Sequence, residues 1–155
     1  MVERILVMGG SGFIGSAMCR LLVETTQAEI VNLDKLTYAA SPAACAGIVK
    51  SPRYCLVVDD VADGALVEAV CDEFHPQWIF NLAAESHVDR SIDAPEDFIA
   101  TNVVGTLRLP EAAKNVWRKA PDTAQRFIQV STDEMFGSLG DTGLQDPAPA
   151  TGAAA

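Results

Sequence analysis

Two groups of residues in this chain have types and spacings suited to chemistry. The first is Ser131-Thr132-Asp133-Glu134, directly after the apolar run 127–130. Neighbouring carboxylates repel, and each must be solvated or held by partners, so stability alone is a poor reason to end a strand on them. A carboxyl that gives a proton beside one that takes a proton is, by contrast, a usable acid–base pair. It suits a ligand lying over the carboxyl ends of a parallel sheet, where open α/β folds bind their ligands. A polar strand exit with a solvated Asp-Glu pair is the competing reading, and these four residues alone do not separate the two.

The second group is Gly9-x-x-Gly12-x-x-Gly15, which falls between a strand-like run and a helical pattern. Glycines at such a place permit a tight turn, let a pyrophosphate approach the backbone, and allow close helix–strand packing. Asp34 ends the next strand, 19 residues after Gly15. A carboxylate there accepts from the hydroxyls of an adenosine ribose and repels an extra 2′-phosphate. NAD is therefore expected over NADP, and the adjacent Lys35 works against that preference. The competing reading is a strand–turn–helix with chance glycines. Strand, glycines, helix, strand and acid all fall in register, which favours dinucleotide binding.

These residues need a scaffold, and the hydrophobic pattern supplies one. Arg4–Met8 is a short apolar run, and Phe13–Thr25 carries Ile14, Ala17, Met18, Leu21 and Leu22 at helical spacing. Glu29–Leu33 reads as a second strand and residues 54–58 as a third, ending at Asp59-Asp60. Asp63 is placed to cap a helix over 65–74, which His75-Pro76 stops. Residues 78–82 form a fourth strand, Pro95 opens a long helical pattern through about Lys119, and 127–130 form a fifth strand. Continuous apolar strands alternating with helices predict a Rossmann-type, doubly wound parallel α/β sheet of about five strands.

Composition narrows the partners. The chain has 155 residues, 49% hydrophobic and 21% charged, with a net charge of −10. That charge disfavours a nucleic-acid surface. It leaves room for a phosphorylated ligand, because helix N-terminal amides hold phosphate without side-chain charge. No apolar run approaches the length of a membrane span, and Met-Val-Glu-Arg leads straight into a strand without a signal peptide, so a cytoplasmic protein is expected. Cys19, Cys45, Cys55 and Cys71 lack metal-ligand or C-x-x-C spacing and read as reduced thiols, with no metal expected.

The G-x-x-G-x-x-G spacing resembles the extended short-chain dehydrogenase/reductase superfamily. Three further strings are similar to its dTDP-glucose 4,6-dehydratase family: DKLTYA at 34–39, LAAESHVDRSI at 82–92 and STDE at 131–134. The likeness covers roughly residues 2 to 144. Epimerases of the superfamily share the glycines but usually lack the Asp-Glu pair, and GDP-mannose dehydratases typically keep only its Glu and use NADP.

The resemblance implies that Gly9, Gly12, Phe13, Ile14 and Gly15 meet the pyrophosphate of NAD. It assigns Asp34, Lys35, Leu36 and Thr37 to the adenosine ribose and Asp60 and Val61 to the adenine. Leu82, Ala83, Ala84, Glu85, Ser86 and Thr101 would line the cofactor, with Asn102 structural. Ser86 and Thr132 would touch the nucleotide-sugar substrate, Asp133 would protonate the leaving hydroxyl at carbon six, and Glu134 would be the base at carbon five. In that family's reaction a hydride passes from carbon four to NAD, water is lost, and the hydride returns at carbon six. The product is a 4-keto-6-deoxy sugar. Two carboxyls with separated pKa values suit such a step. Relatives form homodimers through the long helix and the helix carrying Tyr-x-x-x-Lys.

Other residues have plainer readings. His87 reads as a loop histidine satisfied by backbone, His75 as a turn residue, Trp78 and Trp117 as packing groups, and Arg90 as a surface partner of Asp89 or Asp93.

Three departures stand out. Met8 replaces the Thr usual before the glycines. Pro110 falls inside the long helix and predicts a kink or break near 106–110. The two tyrosines, Tyr38 and Tyr54, have no Lys four residues later, so the family's Tyr-x-x-x-Lys base is missing. From about Gln145 the tail is rich in Ala, Pro and Gly and leaves the family pattern. The expectation is an incomplete NAD-binding domain over 1–137, an irregular tail over 138–155, no substrate domain, and a premature end such as a shifted reading frame produces. An inactive dehydratase portion, a non-catalytic NAD-binding module and an unfolded remnant then remain as competing outcomes.

Overall fold

The computed structural model describes residues 2–87, 92–119 and 124–132. Among these, five strands form one parallel sheet: β1 (Arg4–Met8), β2 (Glu29–Leu33), β3 (Tyr54–Val57), β4 (Trp78–Asn81) and β5 (Arg126–Gln129). Their order is β3-β2-β1-β4-β5, the doubly wound arrangement the alternating pattern predicts. The helix α1 (Phe13–Thr25) joins β1 to β2, and α2 (Gly64–Phe74) joins β3 to β4. The chain reverses its direction of travel between β1 and β4, so their carboxyl ends diverge and leave a crevice.

Strand β1 shows why the apolar runs are unbroken. Leu6 and Met8 pack on one face with Val67, Cys71, Leu109, Ala113 and Val116. Ile5 and Val7 pack on the other with Cys19, Val23, Cys45 and Tyr54. A strand covered on both faces has no solvent side, so every position after Arg4 is apolar. Met8, which stands in place of the usual Thr, is fully buried in the first cluster.

Helix ends are fixed by particular side chains. Asp63 accepts from the amides of Ala65 and Leu66 at 3.0 and 3.1 Å and caps α2, as its position predicts. His75 closes that helix in the left-handed region at φ 52°. Arg53 donates to the Val23 and Thr26 carbonyls at 2.7 and 2.8 Å, placing a cation at the negative end of α1. Trp117 donates to the Pro76 carbonyl at 2.7 Å, and Trp78 stacks on Phe80 at 6.4 Å, so both tryptophans pack rather than form a ligand platform.

The long helix differs from expectation. It is not broken at Pro110 but changes winding: α3 (Pro95–Phe98), a π-helical stretch (Ile99–Gly105), then α4 (Thr106–Trp117), which contains the proline. Pro110 offers no N–H to the Thr106 carbonyl and its ring crowds that oxygen. The π-to-α transition falls at that residue. Strands β3 and β4 each end one residue earlier than predicted, and β5 is shifted one residue toward the N-terminus, with Arg126 opposite Trp78 and Gln129 opposite Asn81. Among the described residues no helix is long and apolar enough to cross a membrane.

Candidate functional site

The crevice at the carboxyl ends of β1, β2 and β4 forms an open cleft. Its walls come from Gly9 and Gly12, from Asp34, Lys35 and Thr37, from Val61, from residues 82–85 and from Thr101. Eleven of the predicted cofactor residues therefore meet in one place.

The glycine turn forms the floor. Gly9 has φ +73°, and a Cβ there would stand 2.8 Å from backbone atoms of Ala83. The turn and the exit of β4 thus touch backbone to backbone, which only glycine permits. A Cβ on Gly15 would collide with the Gly9 carbonyl, so the third glycine lets α1 sit directly on the turn. Gly12 is the N-cap of α1 and no side chain caps that end, leaving the first-turn amides directed at the cleft floor. Phe13 and Ile14 begin this helix with exposed side chains and do not line the cleft.

Gly10 is a supporting residue whose role the spacing alone does not reveal. The Asn32 side chain and the Cys19 sulfur occupy the place of its missing Cβ. Asn32 is fully buried and donates to Ser11 Oγ at 3.1 Å and to the Tyr54 hydroxyl at 2.9 Å. Its Oδ1 has no partner among the described residues. Burial pushes the Cys19 thiol up to about 12 and raises Tyr54 above the ordinary phenol range. Cys19 is therefore a neutral packing group beneath the turn and not a nucleophile.

Asp34 forms one wall. It is buried, and its two carboxylate oxygens accept separately from the Ser11 and Leu36 amides, each at 2.8 Å. Each oxygen keeps a lone pair for an incoming hydroxyl. The bond to Ser11 joins the acid to the glycine turn, so the two halves of the predicted site form one unit. Leu36 adopts φ 54°, an uncommon conformation for a branched side chain, as the chain turns back to bond Asp34.

The opposite wall is tied in by Lys35, whose Nζ lies 3.1 Å from Thr101 Oγ1, 3.5 Å from Asp60 Oδ2 and 3.7 Å from Glu85 Oε1. Asn102 accepts from the Glu85 amide at 2.9 Å and donates to the Glu85 carbonyl at 2.8 Å, a two-point clamp that fits its predicted structural role. Thr101 and Asn102 both lie in the π-helical stretch, a winding that recurs at functional sites. Tyr38 donates to Glu85 Oε2 at 3.3 Å and meets the His87 ring edge-on at 5.4 Å. His87 thus has an aromatic neighbour that its sequence position did not suggest.

Gly15 in the first turn of α1, and Leu36, Asp60 and Ser86 in the adjoining loops, do not line the cleft, whereas Ala39 and Ala40 line it without having been predicted. Two small residues after a tyrosine carry no signal in sequence. Ser131 and Thr132 follow β5 and are exposed. Asp133 and Glu134 lie outside the described residues, as do Arg90 and the tail over 138–155. Asn81 donates to Gln129 Oε1 at 2.8 Å and accepts from the Ala83 amide at 3.2 Å, coupling β5 to the cleft wall.

Fold and cleft together define a Rossmann domain of the extended short-chain dehydrogenase/reductase type. The GDP-mannose 4,6 dehydratase family model matches residues 6–153, and the chain belongs to that family. The match continues past Gln145, beyond the point where the tail's composition suggests the pattern ends. Among curated relatives, the dTDP-glucose 4,6-dehydratase of Haemophilus influenzae is 46% identical over 147 residues, covering 93% of this chain and 43% of its own length. That of Xanthomonas campestris pv. campestris (strain B100) is 48% identical over 141 residues, covering 89% and 40%. The dTDP-glucose 4,6-dehydratase of Bacillus anthracis, solved in complex with NAD, superposes with a TM-score of 0.76 at 36% identity, covering 94% of this chain and 42% of that one. The dTDP-glucose 4,6-dehydratase of Streptomyces venezuelae, also solved with NAD, gives a TM-score of 0.78 at 35% identity, covering 94% and 46%. The chain spans about two-fifths of the length of the curated relatives it matches.

Proposed function

We propose that this chain is the NAD-binding part of a dTDP-glucose 4,6-dehydratase-like lyase, with residues 1–137 as its Rossmann domain and 138–155 as a tail outside it. The observation that carries the reading is the Gly9 turn, seated against the Ala83 backbone and hydrogen-bonded through Ser11 to the buried Asp34. A Cβ at residue 9 would fill this cradle, and a buried acid with spare lone pairs stands at the correct wall. The residues present therefore fit a dinucleotide.

Each part has a distinct task in this reading. The first-turn amides of α1 hold the pyrophosphate, Asp34 accepts from the ribose hydroxyls, and Val61 flanks the adenine. When bound, NAD supplies a reversible store for a hydride from the sugar. Thr132 and Ser86 orient the hexose of a nucleotide sugar, dTDP-glucose by the names of the relatives. Asp133 gives its proton to the departing hydroxyl at carbon six and Glu134 takes the proton at carbon five. A homodimer and a cytoplasmic location belong to the same proposal.

A second reading is a non-catalytic NAD-binding module. Neither Tyr38 nor Tyr54 is followed four residues later by Lys, so no Tyr-x-x-x-Lys base exists within these 155 residues. Calorimetric titration of the chain with NAD tests the site, with saturable one-to-one binding expected. Absence of binding by a chain whose circular dichroism shows an intact α/β fold overturns it. An assay for the 4-keto-6-deoxy product then separates the readings. No turnover is expected from the chain alone, and turnover would require another residue to act as the base.

A further inference from the structure

Lys35 stands beside Asp34 at the ribose end of the cleft, and in sequence its charge argues for a 2′-phosphate. The structure gives this ammonium another task. Lysine has three N–H donors, and three oxygens surround Nζ: Thr101 Oγ1 at 3.1 Å, Asp60 Oδ2 at 3.5 Å and Glu85 Oε1 at 3.7 Å. These partners come from three separate elements, so the cation acts as a tie across the cleft wall. Among the described residues that line the cleft, Lys35 is the single cation, and Asp34 and Glu85 are the carboxylates.

Glu85 is the firmest of the three holders. Its side chain is 9% exposed, against 41% for Asp60, so its charge is less screened by water. Its backbone is clamped on both sides by Asn102, and Tyr38 donates to its second carboxylate oxygen. It cannot swing away without breaking those contacts.

We propose that Glu85 is a specificity-determining residue: by engaging Lys35 it withholds the cleft's cation from a ribose 2′-phosphate and adds its own repulsion. This rests on the dinucleotide reading above and deepens it. Selectivity then depends on the loop after β4 as well as on the acid that ends β2. A phosphate monoester carries about −1.5 to −2 charges at neutral pH, so it meets several carboxylates and no available ammonium.

The test compares NAD and NADP binding to the full 155-residue chain by calorimetry, in the parent, Glu85→Gln, and Glu85→Gln combined with Lys35→Met. The amide keeps the size of the side chain and its bond to Tyr38 while releasing the ammonium. The single variant is expected to narrow the preference for NAD about tenfold, chiefly through tighter NADP binding. Lys35→Met in the same background is expected to remove that gain. If the parent binds NAD and Glu85→Gln leaves the NAD-to-NADP ratio unchanged, or if the double variant keeps the gain, the inference is overturned. Should Glu85→Gln fail to fold, Lys35→Met alone applies the test: NADP affinity is expected to change by less than about twofold, because the ammonium is already engaged, and a loss of about tenfold or more overturns the inference. A folded parent that binds neither dinucleotide overturns the site itself, and the inference falls with it.

Discussion

The two sides of the cleft are built differently. On the β1–β2 side every functional group is held at least twice: Asp34 by two backbone amides, Lys35 by three oxygens, Ser11 through its N–H to Asp34 and its Oγ to Asn32. At the end of β5, the Gln129 side chain accepts one bond from Asn81 and the chain then runs out to exposed Ser131 and Thr132. The first side is a pre-formed receptor whose geometry does not await a ligand. The second presents hydroxyls without comparable supports among the described residues. Within one sheet the supports are thus unequal: among the described residues the first side lies at the centre of the sheet and β5 is an outer strand.

The comparison breaks most readily at the turn. Gly9→Val places a Cβ in a left-handed conformation and against the Ala83 backbone, an expected loss of about 2–5 kcal/mol in stability together with NAD binding. Urea unfolding and calorimetry check both. If NAD affinity survives, the turn is not the floor of the receptor.

High pH should loosen the packed interior next. Burial raises Cys19 and Cys71 from 9.0 to about 12, so in that window the unfolded chain has released thiol protons that the folded chain retains. The unfolded state then binds fewer protons, and stability falls as pH rises, by roughly 1.4 kcal/mol per pH unit for each thiol. Urea midpoints at pH 8 and pH 10.5 measure the fall, and Cys19→Ala should remove about half of its slope.

Asp34→Asn tests the wall of the receptor. The amide must turn a donor toward Ser11 N–H or Leu36 N–H, with an expected cost of about 1.5–3 kcal/mol and a 10- to 100-fold loss of NAD affinity. Gln129→Ala is the smallest change: it leaves Asn81 Nδ2 without its partner, lowers stability by about 1 kcal/mol and should leave NAD affinity intact. A large effect on NAD binding from Gln129→Ala would show that the two sides are one coupled unit.

Much of this was legible in the chain itself. The apolar runs, the Asp63 cap, the glycine spacing and Asp34 are local or periodic signals, and the sheet order follows from alternating strands and helices. The π-helical winding was not legible, because Pro110 announces an irregularity without saying whether a helix bends, breaks or rewinds. The role of Gly10 was hidden for a related reason: the Asn32 side chain that fills its place comes from another strand.

What the sequence determined by itself is therefore the class of fold and the position of the phosphate turn, since both depend on residues a few positions apart. Only the tertiary structure decided what Lys35 does. A charge beside Asp34 looks like a phosphate receptor until Asp60, Glu85 and Thr101, from three distant segments, surround it. Charge is written in one residue, but the field it contributes is set by the neighbours that folding brings near.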